Sequence, residues 1–167
     1  MQLLKEIGEK KDIKYKRRTA ARAVVFNKKG DIALLFASKD NYHKLPGGGV
    51  ESHESIEETL SREILEETGC EIEVNEEVGK VIEYRNKINL KQTSFCFLAN
   101  FKKILSKPNF TEEEKAKGFQ LVWMNFDKAI KIIEKEKPKD YHLKFMRERD
   151  LCFVKKANEI ITSSQPH

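Results

Sequence analysis

Apolar positions along the chain switch between the spacing of strands and the spacing of helices. Residues 19–27 (Thr-Ala-Ala-Arg-Ala-Val-Val-Phe-Asn) read as a strand, Lys28-Lys29-Gly30-Asp31 as a turn, and Ile32–Ala37 as the returning strand, buried because it is continuously apolar. Residues 38–43 read as a loop, and Leu45-Pro46 leads into a glycine turn, Gly47-Gly48-Gly49. Ile56, Leu60 and Ile64 recur every four residues and predict a helix. Ser52 or Ser55 can cap its start, and Gly69 has the place of a C-terminal cap glycine. Glu71–Val74, Val78–Tyr84 and Thr93–Phe101 carry strand-like residues, with a loop at residues 107–109. A short strand follows at Gln120–Met124, with the only tryptophan, Trp123. Asp127–Lys135 predicts an amphipathic helix, Pro138 interrupts the chain, and residues 139–162 predict a long helix. In that helix Leu143, Met146, Phe153, Val154 and Ala157 share a face. Strands interspersed with a few helices imply an α/β or α+β domain, with a mixed β-sheet between helices.

Length and composition narrow this further. The 167 residues suffice for one domain, expected over 18–162, after a basic segment at 1–17 and before a tail at 163–167. With 39% hydrophobic and 35% charged residues the chain is charge-rich but globular. The longest apolar run, Ile32–Ala37, is far below the roughly 20 residues that span a bilayer. The N-terminus carries no apolar stretch of the secretory kind. Cys70, Cys96 and Cys152 lie far apart with no C-x-x-C pair, so no disulfide framework or zinc knuckle is expected, and a cytoplasmic location is.

The net charge of +5 is uneven. Lys5, Lys10, Lys11, Lys14, Lys16, Arg17 and Arg18 crowd the N-terminus, while residues 51–77 are acidic. This asymmetry suits a phosphate-bearing partner. Basic residues interleaved with aromatics are missing, so a nucleic-acid partner is not expected.

Candidate chemistry concentrates between Gly48 and Cys70. At ~100° per residue, Glu63, Glu66 and Glu67 fall within an arc of about 100° on the predicted helix. Like charges so placed repel, and a divalent cation removes that cost. Carboxylate oxygens suit Mg²⁺ or Mn²⁺, and zinc is a poor fit without His or Cys. Arg62, beside Glu63 and eight residues after Glu54, can orient a carboxylate through a forked hydrogen bond. The three glycines permit close backbone approach to an anion or metal.

This stretch resembles the signature of the Nudix (MutT-like) hydrolases, Gly-x5-Glu-x7-Arg-Glu-U-x-Glu-Glu-x-Gly-U, where U is bulky and apolar. Gly48, Glu54, Arg62, Glu63, Ile64, Glu66, Glu67 and Gly69 occupy its positions, and Cys70 stands where Ile, Leu or Val is usual. The resemblance covers roughly residues 18–135. It implies an α/β/α sandwich and a magnesium-dependent pyrophosphatase that cleaves a nucleoside diphosphate-linked compound, with a (deoxy)nucleoside triphosphate as the leading substrate. It also implies that Glu63, Glu66 and Glu67 hold the metal, with a backbone carbonyl of Gly48 or Gly49, and that Glu54 and Arg62 brace the helix. Glu63 or Glu67 is the expected general base, with Glu112, Glu113 and Glu114 as later-loop alternatives. Gly47, Gly48, Gly49 and Tyr84 are the expected substrate contacts; Tyr42, His43, Arg85 and Gln92 could line a base pocket, although sheet packing is the commoner fate of such residues. His53 reads as an exposed bystander. The rival reading is a non-hydrolytic nucleotide sensor or RNA-binding module of the same fold. An isopentenyl-diphosphate-type isomerase would need a catalytic cysteine ahead of the box, where none stands. The long C-terminal helix could pack on its own domain or on a second copy in a homodimer.

Overall fold

In the computed structural model, which describes residues 1–165, the elements follow in the order β1 (Leu3–Ile7), β2 (Lys16–Phe26), β3 (Asp31–Ala37), β4 (Tyr42–Lys44), β5 (Gly47–Gly49), α1 (Ile56–Thr68), β6 (Cys70–Arg85), β7 (Leu90–Ile104), α2 (Glu112–Ala116), β8 (Phe119–Asn125), α3 (Phe126–Lys135) and α4 (Tyr141–Ser163). The eight strands form one sheet in the order β1-β6-β7-β2-β3-β4, with β5 paired to β2 and β8 to β3. The β1–β6 and β2–β7 pairs are parallel and the others antiparallel, so the sheet is mixed.

Strand alternation explains why the central strands are apolar throughout. Ala21, Ala23, Val25 and Ala33 point to one face and pack under Leu60 and Ile64 of α1. Val24, Ile32 and Leu34 point to the other and meet Ile133 of α3 and Phe153, Val154 and Ala157 of α4. The result is the expected α/β/α sandwich. Ser55 caps α1, its Oγ accepting from the Glu58 amide while the Glu58 carboxylate accepts from the Ser55 amide. Gly69 ends the helix at φ 70°, and its N–H donates to the Leu65 carbonyl at 2.8 Å.

Several expectations need correction. Residues 3–7, expected in a segment outside the domain, form an edge strand whose Ile7 joins the core, and β2 begins at Lys16 rather than beyond residue 17. The flanking lysines hid this strand. The segments 71–74 and 78–84 are one strand, β6, interrupted by register slips around exposed Asn75-Glu76-Glu77, whose polarity broke the pattern. The loop at 38–43 and the glycine turn contain the short strands β4 and β5, and α2 forms where a loop was expected. The tail begins inside α4, which runs to Ser163; residues 166–167 lie outside the described residues.

The sandwich also encloses charge. Arg149 and Asp150 of α4 are 0% and 1% exposed. Arg149 Nε donates to Asp150 Oδ1 at 2.7 Å, and its Nη1 lies 3.7 Å from Glu83 Oε2 on β6. Asp150 Oδ2 accepts the N–H of Leu45 at 3.0 Å, tying the C-terminal helix to the segment that enters β5.

Candidate active site

Helix α1 lays its acidic edge along β5, and β5 can lie there because it is glycine. A side chain on Gly47, at φ 134°, would strike the Ala21 carbonyl of β2, and one on Gly48 would run into the carboxylate of Glu63. Glu67 is 3% exposed; its Oε2 accepts the Gly47 N–H at 2.6 Å, and its Oε1 lies 3.3 Å from Lys44 Nζ. Burial pushes its carboxyl above the usual range, against the pull of Lys44 and the Gly47 amide. Glu66 is the outermost of the three, 3.5 Å from Arg62 Nη1, and desolvation and Glu63 push its pKa upward.

Arg62 ties the arrangement together. Its Nε and Nη2 fork onto Glu54 at 2.5 and 2.8 Å, its Nη1 donates to Glu63 Oε1 at 2.8 Å, and Nη2 reaches the Gly49 carbonyl at 3.4 Å. Hydrogen bonds from Arg62, with Thr59 and the Glu51 amide, hold Glu54 down at about 2. The stabilisation from Glu54 is therefore present above its ordinary 4.5 and is lost as pH falls toward that lowered value.

The donors suit a hard cation. Glu63, Glu66, Glu67 and the β5 carbonyls offer only oxygen, and the nearest imidazole of the preceding strand, His43, is tied to Glu136 at 3.1 Å. Glu67 is a buried carboxylate that faces one ammonium, Lys44, and one amide, that of Gly47. The helix glutamates do not close on a single point: Glu63 and Glu66 share Arg62, and Glu67 faces Lys44. Among the described residues, the trio whose ligand atoms lie within 4.8 Å of one another is Glu51, His53 and Glu54. There His53 and Glu51 are exposed, and Glu54 is already engaged by Arg62 and Thr59.

Beside this edge opens a cavity of about 610 Å³. Arg22 and Lys44 form its inner wall, Tyr42 and Phe119 an aromatic side, and Glu113 and Lys117 part of its rim. Neither this cavity nor the larger one, about 780 Å³ between Phe26, Asn100 and Ile161, is lined by the acidic residues of α1, but the smaller one reaches them through Lys44, which faces Glu67.

The structure brings Glu54, Arg62, Glu63, Glu66, Glu67, Gly47, Gly48 and Gly49 together. It does not bring Tyr84. Tyr84 alternates with Glu83 and Arg85 along β6 and so faces the opposite side of the sheet from their buried network. Its hydroxyl donates to Glu6 at 3.0 Å and its ring packs on Tyr15, which removes it as a substrate contact. Of the pocket candidates, Tyr42 lines the cavity; His43 is held by Glu136, and Arg85 and Gln92 are both bonded to Glu83. Trp123 packs edge-on against Phe101 at 5.8 Å, beside the α1 core. Arg22, Lys44 and Asp150 were missed. The signal for Arg22 was a single charge inside an apolar strand, which has to find a partner if buried.

The Gly48 contact gives a test. Gly48→Ala is expected to displace Glu63 and lower turnover by at least ~10-fold with little change in thermal midpoint. Rates and calorimetry on the same preparation check it; unchanged turnover would show that Glu63 moves freely aside.

The NUDIX domain family model matches residues 16–147. No curated protein sequence matches the chain. Among solved structures, a NUDIX hydrolase from Nitrosomonas europaea superposes with a TM-score of 0.63 at 17% identity, covering 91% of this chain and 98% of that one. A MutT protein from Methanosarcina mazei gives 0.60 at 20% identity, with 89% and 98% covered. An ADP-ribose pyrophosphatase from Streptococcus suis gives 0.55 at 20% identity, with 90% and 94% covered. These likenesses agree on the fold, and with the family match running from the first residue of β2 into α4, the chain belongs to the NUDIX domain family.

Proposed function

We propose that this protein is a pyrophosphohydrolase that cleaves the phosphoanhydride bond of a nucleoside diphosphate-linked compound, with a (deoxy)nucleoside triphosphate as the first substrate to try. The observation that carries the proposal is the alignment of Glu63 and Glu67 against the glycine strand, braced by the Glu54–Arg62 fork, with Lys44 joining Glu67 to the neighbouring cavity. Glu63, Glu66, Glu67 and the Gly48 carbonyl would hold Mg²⁺ or Mn²⁺. Such an ion, when bound, supplies the charge that neutralises phosphate oxygens and acidifies the attacking water. Lys44, 3.3 Å from Glu67 Oε1, directs its ammonium toward the phosphate chain, in the manner of a charge-assisted phosphate contact. Arg62 fixes Glu63 by one oxygen, Oε1, and leaves Oε2 without a hydrogen bond, whereas both oxygens of Glu67 are engaged. Glu63 is therefore assigned the proton of the attacking water. Glu113 is paired with Lys117 at 2.9 Å and Glu114 caps α2, so neither is poised for that role.

The test is a nucleotide panel followed by phosphorus NMR with Mg²⁺ or Mn²⁺, then with excess chelator. Release of phosphate or pyrophosphate that stops on chelation is the expected result. Tight nucleotide or RNA binding with no turnover across the panel would instead establish the sensor or RNA-binding reading. Among the described residues no helix is long and apolar enough to cross a membrane.

A further inference from the structure

We propose that the cavity beside Gly47 binds a second anionic group of the substrate, a phosphate monoester separate from the diphosphate that is cleaved. The inference rests on the hydrolase reading and adds a substrate class to it.

The argument starts from Arg22. Its neighbour Ala21 belongs to the cluster under α1, so Arg22 points to the α4 face of the sheet. It is 4% exposed, lines the cavity, and donates through Nη1 to the Gly47 carbonyl, yet its Nε has no hydrogen-bond partner. Arg85 Nε and Arg149 Nη2 are also without partners, but neither residue lines the cavity. An unpaired buried donor costs free energy unless a ligand meets it.

The charges agree. Arg22, Lys44, Arg85 and Arg149 are buried or nearly so, against three carboxylates, Glu67, Glu83 and Asp150. Arg18, exposed at the mouth with Nη1 on Gln92, adds a fifth cation. Burial and the nearby Arg149 lower Arg22 only to about 10, so it stays charged at neutral pH. The rim carboxylates Asp40, Glu113, Glu114 and Asp140 equal the lining cations Arg18, Arg22, Lys44 and Lys117 in number. They are exposed or half-exposed, while Arg22 is buried and Lys44 nearly so, and positive charge is therefore concentrated on the floor of the cavity.

A phosphate monoester brings about −1.5 to −2 charges and three acceptor oxygens, the complement of such a floor. The scissile diphosphate lies with Glu63, against Gly48 on the α1 side of β5, so the two anion positions flank Gly47 from opposite faces of the sheet. Tyr42, Phe119, Leu143 and Met146 supply an apolar wall for the ring or linker between them.

The probes are inorganic phosphate and two matched pairs that differ by one phosphate monoester, NADP⁺ against NAD⁺ and coenzyme A against its dephospho form. All are titrated calorimetrically into the full chain with chelator present, so that nothing turns over. The phosphorylated member of each pair is expected to bind at least ~10-fold tighter, the least that a lost charge-assisted hydrogen bond costs. Arg22→Gln and Arg18→Gln are expected to erase that preference and weaken inorganic phosphate, while Arg22→Lys retains part of it. Equal affinity within both pairs, or phosphate binding unchanged in both glutamine variants, overturns the proposal. Should Arg22→Gln not fold, exposed Arg18 decides. Diphosphate turnover without arginine-dependent phosphate binding sinks this inference alone. Arginine-dependent phosphate binding with no hydrolysis of any diphosphate sinks the hydrolase reading and leaves the anion site standing.

Discussion

Changing Glu67 to glutamine is expected to cut turnover by at least ~10²-fold while the thermal midpoint at neutral pH stays the same or rises. The two effects have one cause. Glu67 is buried, and burial raises its pKa despite Lys44 and the Gly47 amide. The folded chain thus holds this proton more tightly than the unfolded chain does. From the ordinary carboxylate value of 4.5 up to the raised one, stability falls as pH rises, and above that window the fold carries the full cost of the buried charge. Glutamine removes the charge and can still accept the Gly47 N–H. Thermal unfolding of both proteins at acid and neutral pH, without added metal, checks the sign: the wild type should lose ground to the variant as pH rises. Added Mg²⁺ should then stabilise the wild type and not the variant. A variant that turns over within tenfold of the wild type, or that melts far below it, would contradict this account.

Asp150→Ala is expected to be the most destabilising single change, at about 3–5 kcal/mol. For a chain of this length that lowers the thermal midpoint by about 10 °C. Both carboxylate oxygens are in use, Oδ1 by Arg149 and Oδ2 by the Leu45 amide, and all three residues are essentially inaccessible. Burial works against the charged form of Arg149, and Asp150 and Glu83 more than offset it, raising its pKa. Without Asp150 that guanidinium keeps only Glu83, 3.7 Å away, and the Leu45 amide loses its partner. Because Leu45 leads through Pro46 into β5, turnover should fall further than the loss of folded protein explains. Asp150→Asn, which can still accept from Leu45, should cost less than alanine, and Arg149→Met combined with Asp150→Leu should recover part of the loss. Urea unfolding monitors all three; an alanine variant within 1 kcal/mol of wild type would show that water replaces the carboxylate freely.

The helix α1, its caps and the order of its glutamates were legible along the chain because they are local. Ile56, Leu60 and Ile64 mark its period, Ser55 and Gly69 satisfy its ends, and Glu63, Glu66 and Glu67 are neighbours on one turn whatever else the chain does. The central strands were legible because burial on both faces demands unbroken apolar runs. Strand β1 was not, since five residues among lysines carry too little pattern until β6 supplies hydrogen bonds to pair with. Tyr84 was misplaced because a one-residue step along a strand reverses its face, and only the β6–β7 register decides which face that is. Arg22, Glu83 and the adjacent pair Arg149-Asp150 lie far apart in sequence, and Arg22 and Glu83 each read alone as a charge interrupting an apolar stretch. The sequence by itself determined the acidic helix and the glycines that admit it. Folding alone decided that Asp150 holds Leu45 and that Arg22 backs Gly47, because long-range charge pairing depends on distances in space that separation along a chain does not encode.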